Sequence, residues 1–326
     1  MSNARLAPDF LFEASWEVCN KVGGIHTVIS TKAQTVTRKF GDRYILIGPD
    51  LSHEGTNPEF EEDQALLKAW RQAVYSEGLR IRIGRWKIKG EPLAVLVDFT
   101  SLIPRKDEIL TKLWESYHVD SLSGQWDYIE PVLFGYAAGT VIASYVKTFC
   151  SSTEKIVAHF HEWMSAAGGL YLRKYAPYVA TVFTTHATVM GRCIAGNRLP
   201  LYSDLAKFNA DELARQFNVT AKHSIEKTAA ANHDAFLTVS DITANECKFL
   251  LGREPDGITP NGFENDFVWT GEEYYAKRDE ARKALIAVAE ACLGCRFASE
   301  PLIVGTSGRY EFRNKGIDRS EERRVG

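Results

Sequence analysis

The chain lacks the short motifs by which several common enzyme classes are identified. No two glycines are separated by a single residue, so the G-x-G-x-x-G dinucleotide fingerprint is absent, and no G-x-x-x-x-G-K-[ST] phosphate loop occurs. His161-Glu162 does not continue as the H-E-x-x-H of a zinc enzyme. There is no Asp-x-Asp pair, with which many enzymes hold a metal ion on a diphosphate. These absences predict a site that uses neither a metal ion nor a cofactor.

Cysteine is also scarce, and the chain has no excess of positive charge. The six cysteines among 326 residues are too dispersed for a disulfide framework, and the one C-x-x-C, from Cys292 to Cys295, lacks the further ligands of a structural zinc site. The net charge is −3, whereas nucleic-acid-binding proteins usually carry a basic excess. We find no apolar run of membrane-spanning length and no signal core behind the N-terminus. We therefore expect a cytoplasmic protein that binds neither nucleic acid nor membranes.

Short β-branched or aromatic runs alternate with amphipathic stretches along the chain. This alternation predicts an α/β fold with a mostly parallel, Rossmann-like sheet. The predicted strands are residues 11–14, 44–47, 79–83, 93–99, 156–160, 179–184, 235–239 and 302–304. The predicted helices follow Gly24 and cover residues 132–149, 210–230 and 274–293.

A turn sequence at residues 259–262, Thr-Pro-Asn-Gly, marks a domain boundary. We expect an N-terminal Rossmann-like domain at residues 1–265, a helical linker region at 266–300, and the start of a second, truncated Rossmann-like domain at 301–318. Residues 319–326 (RSEERRVG) change composition abruptly and are interpreted as a non-native tail.

The segment from Lys21 to His26 combines a lysine, two glycines and a helix start directly after a strand. The N–H groups of Gly23 and Gly24, the positive helix end and the lysine would together bind an anion such as a phosphate. The alternative is a tight strand–helix turn with a solvated lysine, and this segment alone does not decide between them.

Two histidines and an indole follow the strand predicted at residues 156–160. We interpret His159 as a core histidine and His161 as a functional one. Imidazole offers directed hydrogen bonds and Trp163 an apolar surface, which together suit a hydroxyl-rich ligand.

Two further loops carry cations that suit a diphosphate. In residues 184–192, His186 precedes Arg192, whose planar guanidinium can bind two phosphate oxygens at once. Taken alone, this loop fits a helix cap with a surface salt bridge better. In residues 308–316, Arg309 and Lys315 lie between glycines. The alternative there is a solvated basic loop.

Together these segments resemble the glycogen synthases of the non-plant type, glycosyltransferase family three, in their shorter bacterial form. The matching stretches are residues 12–24 (FEASWEVCNKVGG), 84–86 (GRW), 132–135 (VLFG), 159–163 (HFHEW), 183–192 (FTTHATVMGR), 238–243 (TVSDIT), 259–262 (TPNG) and 308–316 (GRYEFRNKG). They extend over nearly the whole chain up to Asp318, and their combination is far more specific than any one of them.

The resemblance implies a GT-B architecture of two domains with the active site in the cleft between them. It implies transfer of glucose from UDP-glucose to the non-reducing 4-hydroxyl of glycogen or another α-1,4-glucan, with retention at the anomeric carbon. Lys21, Gly23, Gly24 and Arg309 would bind the UDP. His161 would lie near the glucose hydroxyls, and His186, Arg192 and Lys315 would act at the reacting centre.

The resemblance also limits what this chain can do alone. The acidic residue that the family uses near the donor glucose lies beyond the end of the chain, so we expect the chain itself to be nearly inactive. The full-length form is a possible homo-oligomer. A glucan-binding module without catalysis is the alternative from another functional class. An epimerase with a divergent fingerprint is disfavoured by the missing G-x-G-x-x-G.

Overall fold

The structure, a computed structural model, describes residues 7–52, 57–262, 268–305 and 317. The chain divides into two compact units, Met1–Gly262 and Phe263–Gly326. The domain limits given above stay predictions.

The first unit is built from strands and helices that alternate along the chain. Its described strands are β1 (Phe10–Ala14), β2 (Tyr44–Pro49), β3 (Phe60–Glu62), β4 (Arg80–Trp86), β5 (Leu93–Asp98), β6 (Ile156–His161), β7 (Ala180–Thr185), β8 (Ala235–Thr238) and β9 (Gly257–Ile258). Its described α-helices are α1 (Gly24–Phe40), α2 (Lys68–Ser76), α3 (Lys106–Tyr117), α4 (Trp126–Phe149), α5 (Glu162–Tyr175), α6 (Val189–Gly196), α7 (Ala210–Gln216), α8 (Thr220–Asn232) and α9 (Asp241–Glu246).

All nine strands form one sheet in the order β3-β4-β5-β2-β1-β6-β7-β8-β9. Only β4 runs against its neighbours, since it pairs antiparallel with both β3 and β5. The six central parallel strands, from β5 to β8, have the order of a doubly wound Rossmann sheet. This confirms the predicted fold class. In such a sheet the order reverses between β1 and β6, and ligands bind beside the carboxyl ends of these strands.

Side chains alternate between the two faces of the sheet and form two cores. Ile45 and Ile47 of β2 belong to the larger cluster, which includes residues of α4, α5 and α8. Tyr44 and Leu46 belong to a smaller cluster with α1. Ile25, Ile29 and Ala33 recur at helical spacing in α1 and are buried.

Helix α4 is long and apolar enough to cross a membrane by length and composition, which corrects the expectation that no such run exists. Within the structure, 72% of its most apolar window is buried. Its glycines allow close packing against α5, because a Cβ at Gly139 would lie 2.5 Å from the carbonyl oxygen of Gly168. The helix is therefore the central helix of the larger core.

The predicted strands of the first unit are confirmed, with small shifts at their ends. The edge strands β3 and β9 were not expected, because three and two residues are too short for a periodic pattern. The strand predicted at residues 302–304 is wrong, since these residues are irregular. The helix predicted at 210–230 is two helices, because Asn218 takes a left-handed conformation (φ 54°) between them.

The second unit contains the predicted helix near residues 274–293, here α10 (Gly271–Leu293). None of its residues is buried among the described ones.

Candidate active site

Polar side chains from three parallel strands meet at the point where the strand order reverses. Glu13 of β1 is paired in register with His159 of β6, and His161 of β6 with Thr184 of β7. The next residue but one after Thr184 is His186, in the loop that follows β7. The position matches the ligand crevice of open α/β sheets.

Glu13 is the centre of this cluster and is almost completely buried. Its Oε1 lies 2.5 Å from Lys32 Nζ and 2.6 Å from His161 Nε2. Its Oε2 accepts the hydroxyl of Tyr44 at 2.5 Å. Burial alone would raise the pKa of this carboxyl, but the Lys32 ammonium and the hydrogen bond from His161 outweigh it and hold the pKa well below the usual range. Glu13 is therefore a charged group that can only accept hydrogen bonds.

His161 connects Glu13 to His186. His161 Nδ1 lies 3.0 Å from His186 Nε2, while its other ring nitrogen faces Glu13. Burial lowers the pKa of His161, and burial together with the neighbouring His161 lowers the pKa of His186 to about 3. Both imidazoles are neutral near pH 7, so each ring has one donor and one acceptor nitrogen.

Glu162 supports His186 from the start of α5. Its Oε1 accepts the backbone N–H of His186 at 3.0 Å, and its own backbone is held at φ 63°. This left-handed conformation costs a non-glycine residue about 1–3 kcal/mol. Burial raises the pKa of the Glu162 carboxyl, although the charge of Arg192 opposes the shift.

Glu226 of α8 binds the loop between β7 and α6, which carries His186. Its two carboxyl oxygens pair with the hydroxyl of Thr185 at 2.8 Å and the backbone N–H of Val189 at 2.9 Å. Burial, followed by the nearby Glu162, raises the pKa of Glu226 to about 8. Two buried carboxyls thus fix the loop between β7 and α6 at both of its ends.

Arg192 lies on the exposed side of α6. It is near enough to lower the pKa of His186 and to oppose the raised pKa values of Glu162 and Glu226. No salt bridge joins Arg192 to another residue in the ranges that the structure describes. Its guanidinium is therefore available to an anion.

His159 completes the cluster on the same face of β6. Its Nε2 lies 2.7 Å from the hydroxyl of Thr184, and burial lowers its pKa well below the usual range. Glu13, His159 and His161 are close enough to hold a metal ion. However, the Lys32 ammonium already lies 2.5 Å from the shared Glu13 oxygen, where it would repel a cation. The donor set fits a hydrogen-bonded network better than a metal centre.

The predicted anion loop is partly filled by an acidic side chain. Glu17 Oε2 accepts the N–H groups of Gly23 at 2.8 Å and His26 at 2.9 Å. Gly24 is open, because no atom lies within 4 Å of a Cβ built there, and Lys21 is exposed. A phosphate at this helix start would therefore share it with Glu17.

The structure brings some of the sequence-predicted residues together. His161 and His186 are in direct contact, and the charge of Arg192 contributes to the lowered pKa of His186. Lys21, Gly23 and Gly24 precede the helix that supplies Lys32 to the cluster. Arg309 and Lys315 lie outside the described residues, so their positions stay predictions.

Sequence reasoning missed the acidic residues that organise the site. A glutamate inside an otherwise apolar strand (FLFEA) was the available signal for Glu13, because a buried charge requires partners. The residues missed are Glu13, Glu17, Lys32, Tyr44, Glu162 and Glu226.

A model of the glycogen synthase family matches residues 13–323. The chain belongs to the glycogen synthase family. The match begins at Glu13 and includes every residue that the sequence proposed for the site.

Individual relatives in the glycogen synthase family agree with this assignment. The glycogen [starch] synthase of Neurospora crassa is 36% identical over 315 residues, which are 94% of this chain and 44% of that protein. The liver enzyme of Rattus norvegicus is 34% identical over 321 residues, again 94% of this chain and 44% of the relative. The chain thus spans less than half the length of these two synthases.

A solved structure shares the fold. The catalytic domain of starch synthase IV from Arabidopsis thaliana, bound to ADP and acarbose, aligns with a TM-score of 0.50 at 15% identity. The alignment covers 97% of this chain and 67% of that one. The likeness supports the GT-B assignment of the fold.

Proposed function

We propose that the protein to which this chain belongs transfers glucose from UDP-glucose to the non-reducing 4-hydroxyl of an α-1,4-glucan such as glycogen, with retention at the anomeric carbon. Membership of the glycogen synthase family is the observation that carries this proposal. The protein would act in the cytoplasm, with a homo-oligomer as a possible full-length form.

The cluster at the end of β1 and β6 suits the hexose of such a donor. His186 is half-buried and neutral, and it lies at the position where doubly wound sheets bind ligands. Neutral imidazoles bind hydroxyls without attracting a competing phosphate, which supports a sugar rather than an anion beside His186.

The cations around the cluster suit the leaving group. As the glycosidic bond breaks, negative charge grows on the diphosphate, and pre-aimed donors lower the barrier most effectively. Arg192 is exposed and free of any salt bridge to a described residue, and Lys21 is exposed at the start of α1. Arg309 and Lys315 would add charge from outside the described residues. Removing one such donor would cost about a hundredfold in rate.

The full-length gene product tests the proposal, because the chain alone spans only 44% of its Neurospora crassa relative. The protein is incubated with radiolabelled UDP-glucose and glycogen, and label in precipitated glycogen is counted. We expect incorporation that Arg192→Gln reduces about a hundredfold. Arg215→Gln, which removes an exposed cation from α7, is the matched control and should retain activity.

A non-catalytic glucan-binding module remains the second candidate, since hydroxyl-binding groups alone do not transfer glucose. Glycogen co-sedimentation of the same preparation distinguishes the two. Retention on glycogen without any incorporation of label would overturn the transferase proposal in favour of the module.

A further inference from the structure

The hydrogen bonds from Glu13 to His186 have one consistent direction. Glu13 is ionised and can only accept, so His161 Nε2 must carry a proton and donate it across 2.6 Å. Because neutral His161 has a single ring proton, its Nδ1 is an acceptor.

The unprotonated Nδ1 of His161 in turn determines which nitrogen of His186 carries the proton. His161 Nδ1 accepts across 3.0 Å, so His186 Nε2 must be the protonated nitrogen. The remaining nitrogen, His186 Nδ1, is then an acceptor, and it has no hydrogen-bond partner among the residues that the structure describes.

We propose that Glu13, acting through His161, fixes His186 as the Nε2-protonated tautomer, so that its Nδ1 accepts a hydrogen bond from a hydroxyl of the bound hexose. This inference rests on the proposed function for the identity of the ligand. Glu13 is a positioning residue, since two hydrogen bonds separate it from the sugar.

The unprotonated Nδ1 of His186 determines which part of UDP-glucose can lie beside this residue. A sugar hydroxyl can donate to a bare imidazole nitrogen, whereas an ionised phosphate oxygen has no proton to give. The opposite tautomer would present an N–H and would favour the diphosphate. Glu13 thus helps to assign the hexose, and not the pyrophosphate, to this position.

Lys32 and Tyr44 keep Glu13 a hydrogen-bond acceptor and so fix the direction of the hydrogen bonds between Glu13, His161 and His186. Both donate to Glu13, at 2.5 Å each, and the ammonium keeps the carboxylate ionised. His159 does not compete for the hydrogen bonds that join Glu13, His161 and His186 (the relay), because its Nδ1 is 3.8 Å from Glu13 and its Nε2 pairs with Thr184.

Histidine ¹⁵N NMR tests the tautomers directly, with two-bond ¹H–¹⁵N correlations recorded on the labelled chain at pH 7. We expect protonated Nε2 and unprotonated Nδ1 for both His161 and His186. A wild-type spectrum with a protonated His186 Nδ1 would overturn the proposal without any variant.

A pair of variants tests whether the tautomers depend on a hydrogen-bond acceptor at position 13 or on its negative charge. In Glu13→Gln the amide oxygen should face Lys32 and His161, since the ammonium can only donate, and both tautomers should persist. The double variant Glu13→Leu with Lys32→Met removes the acceptor without leaving the Lys32 ammonium unpaired beside an apolar side chain. It should mix the tautomers of both rings. If His186 keeps one tautomer there, Glu13 does not control it.

Kinetics of the full-length protein complete the test. The double variant should lose about tenfold in kcat/KM for UDP-glucose, the equivalent of one hydrogen bond, with Glu13→Gln closer to wild type. An equal loss in both variants would contradict a role as acceptor. Correct tautomers in a full-length protein that transfers no glucose would refute the proposed function and leave the relay intact.

Discussion

The carboxylate of Glu17 lies across the first turn of α1, where its Oε2 accepts the N–H of Gly23 at 2.8 Å. The same oxygen accepts the N–H of His26 at 2.9 Å. The helix start that the sequence suggested as a phosphate site is thus stabilised from within the chain. A Cβ at Gly23 would lie 3.0 Å from the other carboxylate oxygen, which explains the glycine there.

Replacing Glu17 should separate its structural role from its electrostatic one. Glu17→Gln keeps an acceptor for the two N–H groups but removes a negative charge beside the proposed UDP site, so UDP should bind several-fold more tightly. Glu17→Ala should lower the free energy of unfolding by about 1–2 kcal/mol, as for a lost helix cap. Calorimetric titration with UDP and urea denaturation measure the two effects. Weaker UDP binding in Glu17→Gln would place the diphosphate away from this helix start.

The contact between Gly169 and His233 leaves no room for a larger residue. A Cβ at Gly169 would lie 1.7 Å from His233 Nε2, and His233 is held by a 2.8 Å hydrogen bond from Nδ1 to the Ala229 carbonyl. Gly169→Ala should therefore destabilise the fold by about 1–3 kcal/mol in urea denaturation. The control is Gly196→Ala in α6, where no atom lies within 4 Å of the new Cβ. Equal stability of the two variants would contradict the packing.

His233 should also make stability depend on pH. Its burial lowers its pKa in the folded state to about 4, from 6.5 in the unfolded chain. The unfolded state therefore binds the proton first as the pH falls, so stability is fully present above pH 6.5 and is lost between pH 6.5 and 4. The contribution of this one group is at most about 3 kcal/mol.

Urea denaturation at a series of pH values measures this dependence. In His233→Asn, the slope of the free energy of unfolding between pH 4 and 6.5 should fall by up to about 1.4 kcal/mol per pH unit, the effect of one proton. An unchanged slope would assign the acid sensitivity to other buried histidines, such as His161.

The sheet could be predicted from sequence because its strands are apolar runs bounded by turn residues. The same reasoning proposed His161, His186 and Arg192, because polar residues at strand ends are visible in the sequence. It could not predict the hydrogen bond between His161 and Glu13, which lie 148 positions apart, since this contact depends on strand order. The register of β1 with β6 creates it.

Glu162 and Glu226 were missed for a different reason. Helical glutamates are usually solvated, and nothing in their local sequence indicates burial. Only the packing of α8 against α5 and β7 places both carboxyls beneath the loop that carries His186.

Glu226 provides the sharpest test of that loop. With a pKa of about 8, it is protonated near pH 7, so one oxygen can donate to Thr185 while the other accepts from Val189. Glu226→Gln reproduces this pattern with an amide and should fold normally.

Because the wild-type carboxyl ionises in the folded state only near pH 8, but near 4.5 in the unfolded state, wild-type stability should decline as the pH rises through this range. Glu226→Gln should lack this decline, and its stability relative to wild type should increase from pH 5 to pH 8 in urea denaturation. Glu226→Ala serves as the disruptive comparison and should cost about 1–3 kcal/mol at pH 5, because the N–H of Val189 loses its buried partner. A Gln variant that loses stability relative to wild type with rising pH would show that Glu226 is ionised and that the loop is held by charge.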